Sequence, residues 1–154
     1  MTALHIQRAN LDDAAFIALL HEHAAAMAAT APPESRHALD LEGLRRPEVR
    51  VWTLHEGAQT LGCGALQHLD SGHVEIKAMR TAQRHQRRGV ASILLAHLLA
   101  QARADGYARA SLETGTMDYF EPARRLYLGA GFRPCPPFGR YVEDPNSMFL
   151  SLRL

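Results

Sequence analysis

The stretch Gln86-Arg87-Arg88-Gly89-Val90-Ala91, followed by the apolar run from Ser92 to Ala104, decides how this chain folds and what it binds. Such a run reads as a helix, and the NH groups of a helix's first turn have no partners inside it. Here Val90, Ala91 and Ser92 would offer those donors, with a partial positive charge, to an anion. Gly89 lets the backbone approach closely, Ala91 adds almost no bulk, and Arg84, Arg87 and Arg88 bring full positive charge. The loop is built to hold a pyrophosphate.

Working outward, His73-Val74-Glu75-Ile76-Lys77-Ala78-Met79 alternates apolar Val74, Ile76 and Ala78 with polar neighbours, the period of a strand. Downstream, Asp105-Gly106 closes the helix and Ala108 to Glu113 returns as a strand. Strand, helix and strand in that order imply a parallel pair with a right-handed crossover. Upstream, Val49 to His55 and Thr60 to His68 form a hairpin across Glu56-Gly57-Ala58-Gln59, and Asp70-Ser71-Gly72 turns into the His73 strand. Leu4 to Arg8 reads as a first strand. Asn10 or Asp12 caps a helix running toward Ala29, Ala31-Pro32-Pro33 breaks it, and a second short helix falls within Glu34 to Arg46. Near the end, Pro122 opens a helix carrying Ala123, Leu126 and Tyr127, stopped by Gly129 and Gly131. Pro134 to Gly139 is a rigid loop, and Met148, Leu150, Leu152 and Leu154 alternate as a closing strand.

A chain of 154 residues, 47% of them hydrophobic, fits one domain spanning 1–154 with its own core. The balance of 17 basic against 16 acidic residues argues against a general nucleic-acid or membrane-surface binder, which carries a strong positive excess. No apolar run approaches the roughly 20 residues that cross a bilayer, and the start lacks a signal-peptide pattern, so a cytoplasmic location is expected. Cys63 and Cys135 read as free thiols of a reducing compartment. The histidines are scattered, and His21 and His23 point to different helix faces, so no metal site is expected. A P-loop is excluded because Gly-x-x-x-x-Gly-Lys-Ser/Thr is absent.

The chain resembles the GNAT N-acetyltransferases. Their signature Gln/Arg-x-x-Gly-x-Gly/Ala is matched by Gln86, Gly89 and Ala91, and their second hallmark, Ala-x-x-Leu-Tyr-x-x-x-Gly-Phe, by Ala123 through Phe132. The resemblance implies an α/β fold with a mixed, mostly antiparallel sheet of six or seven strands flanked by helices, splayed at the cofactor site. It implies acetyl-CoA as acetyl donor, its pyrophosphate on Gln86, Arg87, Arg88, Gly89, Val90, Ala91 and Ser92. The pantetheine arm would pair with the main chain of Met79, Arg80 and Thr81, and a backbone NH at a strand bulge near Met79 and Arg80 would meet the oxyanion. Tyr127 is the implied acid for the leaving thiolate, and its phenol is protonated at neutral pH. Glu75 stands where some members carry a base glutamate. Lys77 shares its strand face, and a neighbouring ammonium makes a carboxylate a poorer base, so a substrate ligand and a structural partner stand beside the base as readings of Glu75. Many members carry an Asn where this chain has Phe120, which puts one cofactor contact in question; Glu113, Thr114 or Asp118 are replacements.

The acceptor is implied to be a primary amine of a small or amino-acid-like molecule. Arg36, Lys77 or Arg140 could pair with an acidic substrate, and Asp40, Glu113 or Asp118 with an ammonium. A protein or peptide acetyltransferase and a non-catalytic acyl-CoA sensor are the alternatives. Homodimers are common among the resembling proteins, though the sequence itself fixes no oligomeric state.

Overall fold

The structure is a computed structural model that describes residues 3–37, 39–86 and 88–154. Its strands are β1 (Leu4–Arg8), β2 (Val49–Glu56), β3 (Gln59–Asp70), β4 (His73–Thr81), β5 (Arg109–Gly115), β6 (Arg133–Pro134) and β7 (Ser147–Arg153). The helices are α1 (Ala14–Thr30), α2 (Leu41–Leu44), α3 (Val90–Ala104) and α4 (Glu121–Gly129). The strands form one sheet in the order β1-β2-β3-β4-β5-β7-β6, antiparallel except for the parallel pair β4 and β5. The mixed, mostly antiparallel sheet expected from the sequence is present, with seven strands.

Alternation along the strands assigns the two faces. On one, Val49 and Val51 of β2 and Cys63 and Ala65 of β3 bury against Phe16 and Leu19 of α1 and Leu44 of α2. On the other, Leu66, Val74, Ile76, Ala110, Leu112 and Leu150 pack with Leu95, Leu98 and Leu99 of α3 and with Tyr127 and Phe132. Glycines on β3 leave room for the side chains of α3 and β4 that pack on them. A Cβ on Gly62 would lie 2.5 Å from the Arg80 carbonyl oxygen and 2.8 Å from Val90, and one on Gly64 2.8 Å from Met79 Sδ. Gly62→Ala is therefore expected to force the β3–β4–α3 contact apart and destabilise the fold by about 1–3 kcal/mol. Thermal or urea unfolding checks this, and an unchanged midpoint would contradict it.

Local details correct the sequence reading in two places, the cap of α1 and the start of the proline-rich stretch. The cap of α1 is Asp13, whose carboxylate accepts from the Phe16 NH at 3.3 Å. Asn10 instead folds back on the Asp12 NH at 3.0 Å. The short helix expected within Glu34 to Arg46 is α2, capped by Asp40 on the Gly43 NH at 2.8 Å, and a short 3₁₀ turn, Pro33–Ser35, precedes it. The proline-rich stretch begins as β6, which pairs Arg133 with Ser151 and Pro134 with Leu150 at the sheet edge, where a missing NH is tolerated. Both cysteines are free, and Cys63 is buried. Among the described residues no helix is long and apolar enough to cross a membrane.

Candidate active site

Strands β4 and β5 pair through His73–Arg109, Val74–Ala110 and Glu75–Ser111 and then separate. Past Glu75, the edge of β4 that faces β5 has no strand partner among the described residues. The gap opens into a cleft of about 600 Å³, walled by α1, β4, the start of α3, β5, α4 and the segment before β7. A bulge in β4 accompanies the separation. Cys63 pairs with Arg80 and Ala65 with Lys77, so one more residue lies between the partners on β4 than on β3. The extra residue is absorbed at Ala78, whose φ of 53° is in the left-handed region. An alanine there is strained and is held by its surroundings, including the Cys63 thiol donating to the Ala78 carbonyl at 3.1 Å. The bulge expected near Met79 and Arg80 thus begins one residue earlier.

At one end of the cleft lies the start of α3. Gly89 takes φ 76° as the residue before the helix, with no side chain capping the first NH groups. A Cβ on Gly89 would meet nothing within 4 Å. Gln86, Gly89, Val90, Ala91 and Ser92 all line the cleft, as do Met79, Arg80 and Thr81. Arg88 departs from expectation: its guanidinium donates to both Glu56 carboxylate oxygens at 3.1 and 3.0 Å and contacts His85 Nδ1 at 3.1 Å. An acidic residue on β2 has claimed the charge that the loop composition assigned to phosphate. Arg87 lies outside the described residues.

At the other end Glu75 is buried, accepting from Tyr141 Oη at 2.6 Å and from Lys77 Nζ at 3.3 Å on the same oxygen. Lys77 Nζ also donates to Tyr141 Oη at 2.9 Å and to the His37 carbonyl at 3.3 Å. Burial and the adjacent Glu75 carboxylate both push the Tyr141 phenol above its ordinary range, so it stays a donor. Burial, with Lys77 next in importance, lowers the His37 imidazole. Glu75 and Lys77 therefore stand as a compensated pair, closed by a phenol.

Glu113 is the carboxyl that sequence reasoning offered both as an acceptor contact and as a replacement for the missing asparagine. It follows Ser111 by two residues on β5, on the same strand face, just past the last pair with β4. No ion pair forms at Glu113 among the described residues. Burial, the largest cause, pushes its pKa up to about 7, with Glu75 and Asp144 adding to the rise against Lys77. Tyr127 of α4 is buried in the same cleft, and its phenol is raised by burial and then by Glu113. Phe120, in place of the asparagine of the resembling proteins, lies against Gly115, where a Cβ would sit 2.2 Å from its ring.

The GNAT acetyltransferase family model matches residues 14–132. The chain belongs to the GNAT acetyltransferase family. It is 49% identical to the uncharacterized N-acetyltransferase YsnE of Bacillus subtilis (strain 168) over 151 residues, covering 98% of this chain and all of that one. A structure from Klebsiella pneumoniae subsp. pneumoniae assigned as an acyl-CoA N-acyltransferase superposes with a TM-score of 0.82 at 28% identity, over 98% of this chain and 97% of that one. The fold of a GNAT acetyltransferase from Elizabethkingia anophelis with acetyl-CoA bound matches with a TM-score of 0.71 at 18% identity, over 98% of each chain. The protein is a GNAT-type N-acetyltransferase, an acyltransferase that uses acetyl-CoA as donor. Its residues suit that donor. The uncapped first turn of α3, the open side of Gly89 and the unpaired edge of β4 form one continuous cradle.

Proposed function

We propose that this GNAT enzyme transfers an acetyl group to the primary amine of a small, amino-acid-like acceptor by direct attack in the β4–β5 cleft. The observation that carries the reading is that the α3 cradle, Tyr127 and the carboxyl of Glu113 line a single cleft. Acetyl-CoA supplies a thioester, whose carbonyl takes the amine and whose CoA portion leaves as the thiol. Gln86 and Gly89 to Ser92 hold the pyrophosphate with main-chain donors. The open edge of Met79 to Thr81 pairs with the pantetheine arm, like an added strand. Glu113 accepts the proton of the acceptor ammonium, because an unpaired carboxyl titrating near neutrality suits that task. Glu75, engaged by Lys77 and Tyr141, fixes the acceptor end and is not the base. A backbone NH at the Ala78–Met79 bulge meets the charge developing on the carbonyl oxygen. Tyr127 protonates the departing thiolate.

The closed acceptor end favours a small acceptor over an extended peptide. Ser35 Oγ donates to Asp144 at 2.6 Å and accepts from Asn146 Nδ2 at 3.3 Å, tying the segment after α1 to the loop before β7. Phe138 packs at 5.1 Å from Tyr141 and 6.0 Å from Phe149, ring centre to ring centre, so that aromatic rings back Tyr141 where it lines the cleft.

The test is thiol release from acetyl-CoA against a panel of amines, amino acids and peptides, with acetyl-CoA binding measured by calorimetry. Release with small amines and slow or no release with peptides is the expected result. Binding without release for every acceptor would favour an acyl-CoA sensor. No binding would sink the α3 cradle and the mechanism together.

A further inference from the structure

Arg80, just past the bulge in β4, carries a charge that no ion pair balances among the described residues. After the bulge, Met79 Sδ faces Gly64 on the α3 side of the sheet, while Arg80 pairs with Cys63, whose neighbours are Phe16 and Leu19 of α1. Its guanidinium therefore lies on the face opposite the α3 cradle. It donates to the His23 carbonyl of α1 at 3.1 Å and to Tyr119 Oη, after β5, at 3.0 Å. It thus bridges the two lips of the cleft. Its Nε is buried and, among the described residues, has no partner; buried His23 Nδ1 beside it has none either. Nor does any carboxylate pair with Arg80 among the described residues.

A guanidinium does not shed its proton, and one whose Nε is buried without a partner among the described residues calls for an anion. His23 supplies neither counter-charge nor second charge, since burial, and then Arg80, lowers its pKa to about 4 and keeps the imidazole neutral. Of the other cations named for the acceptor, only Lys77 lines the cleft with Arg80. Lys77 is paired with Glu75, Arg36 donates to the Ala31 and Ala28 carbonyls, and Arg140 is exposed. The same cleft that holds Arg80 and His23 holds Glu113.

We propose that Arg80, with His23 beside it, receives a carboxylate of the acceptor, so that the acceptor is a primary amine that also bears a carboxyl group. The inference rests on the acetyl-transfer reading above. Its amine lies toward Glu113 and its carboxylate toward Arg80, which together select an amino acid against a simple amine.

The experiment compares amino acids of increasing amine-to-carboxyl spacing with their own carboxamides, in wild type, Arg80→Gln and Arg80→Lys, with acetyl-CoA affinity read by calorimetry. Wild type is expected to prefer one acid over its amide by about 10²-fold in kcat/KM. Arg80→Gln is expected to lose that preference through KM while acetyl-CoA affinity stays within about twofold, because residue 80 meets the pantetheine arm through its main chain alone, and Arg80→Lys to keep part of the preference, as a charge without the planar fork. Equal use of acid and amide by wild type would overturn the proposal while leaving the transfer reading intact. So would a preference that survives Arg80→Gln. Weakened acetyl-CoA binding with an unchanged acceptor KM would overturn it by giving Arg80 to the donor. Absence of transfer to every amine, with or without a carboxyl, would overturn both readings together.

Discussion

Glu113→Gln is expected to lower kcat about 10²–10³-fold, within the range that a positioned general base contributes. Wild-type kcat should rise with pH through about 7 as Glu113 loses its proton, and the variant should lose that limb. The groups facing Glu113 set this value. Burial dominates, Glu75 and Asp144 add negative charge, Lys77 and the Ser147 hydroxyl oppose them, and the phenols of Tyr127 and Tyr141 lie close. Stability should move the other way. The folded carboxyl holds its proton more tightly than the unfolded one, so its contribution is present at low pH and is lost as pH rises from the ordinary carboxyl range through about 7. Above pH 7 the fold bears an ionised carboxylate with no ion-pair partner among the described residues, and Gln removes that burden. The variant should therefore melt no lower than wild type at pH 8 while being nearly inactive, the pattern of a residue kept for chemistry at a cost in stability. Wild-type kcat in the variant, with the limb intact, would return the base role to another group.

How far the sequence disclosed this arrangement depended on the range of the interaction involved. The β4 strand, the Gly89 turn and α3 were legible because alternation, a glycine before an apolar run and helix length act within a few residues. The cap of α1 was misplaced by one residue from Asp12, since Asn10, Asp12 and Asp13 all suit a helix start and the Asn10 turn decides between them. Arg88 was assigned to phosphate on local composition, yet its partner Glu56 comes from a strand brought near by the hairpin. The same holds for the two carboxyls. Glu75 had an audible neighbour in Lys77, but Tyr141 reaches it from the loop before β7. Glu113 looked like one more charge at a strand end. Its perturbation comes from burial in the gap where β5 parts from β4, and no pattern in the strand itself announces a gap. Ala78 was equally silent, because alanine is not a residue that advertises a left-handed backbone.

Tyr127→Phe tests the opposite end of the reaction. It is expected to lower kcat about 10²-fold or more by removing the proton donor for the thiolate, with acetyl-CoA affinity little changed. Its pH signature separates it from Glu113→Gln. Burial and the Glu113 carboxyl hold the Tyr127 phenol above its ordinary range, so it remains protonated across the accessible pH scale. Loss of the hydroxyl should then depress the rate by a constant factor and leave the limb near pH 7 in place. The fold should tolerate the change, because the ring keeps its edge-on contact with Phe132 at 5.9 Å between centres and no hydrogen bond to the hydroxyl is seen among the described residues. A variant that melts like wild type and turns over at its rate would reduce Tyr127 to packing between α4 and the sheet. One that melts like wild type, binds acetyl-CoA and is slowed equally at every pH would leave proton delivery to the thiolate as the hydroxyl's role.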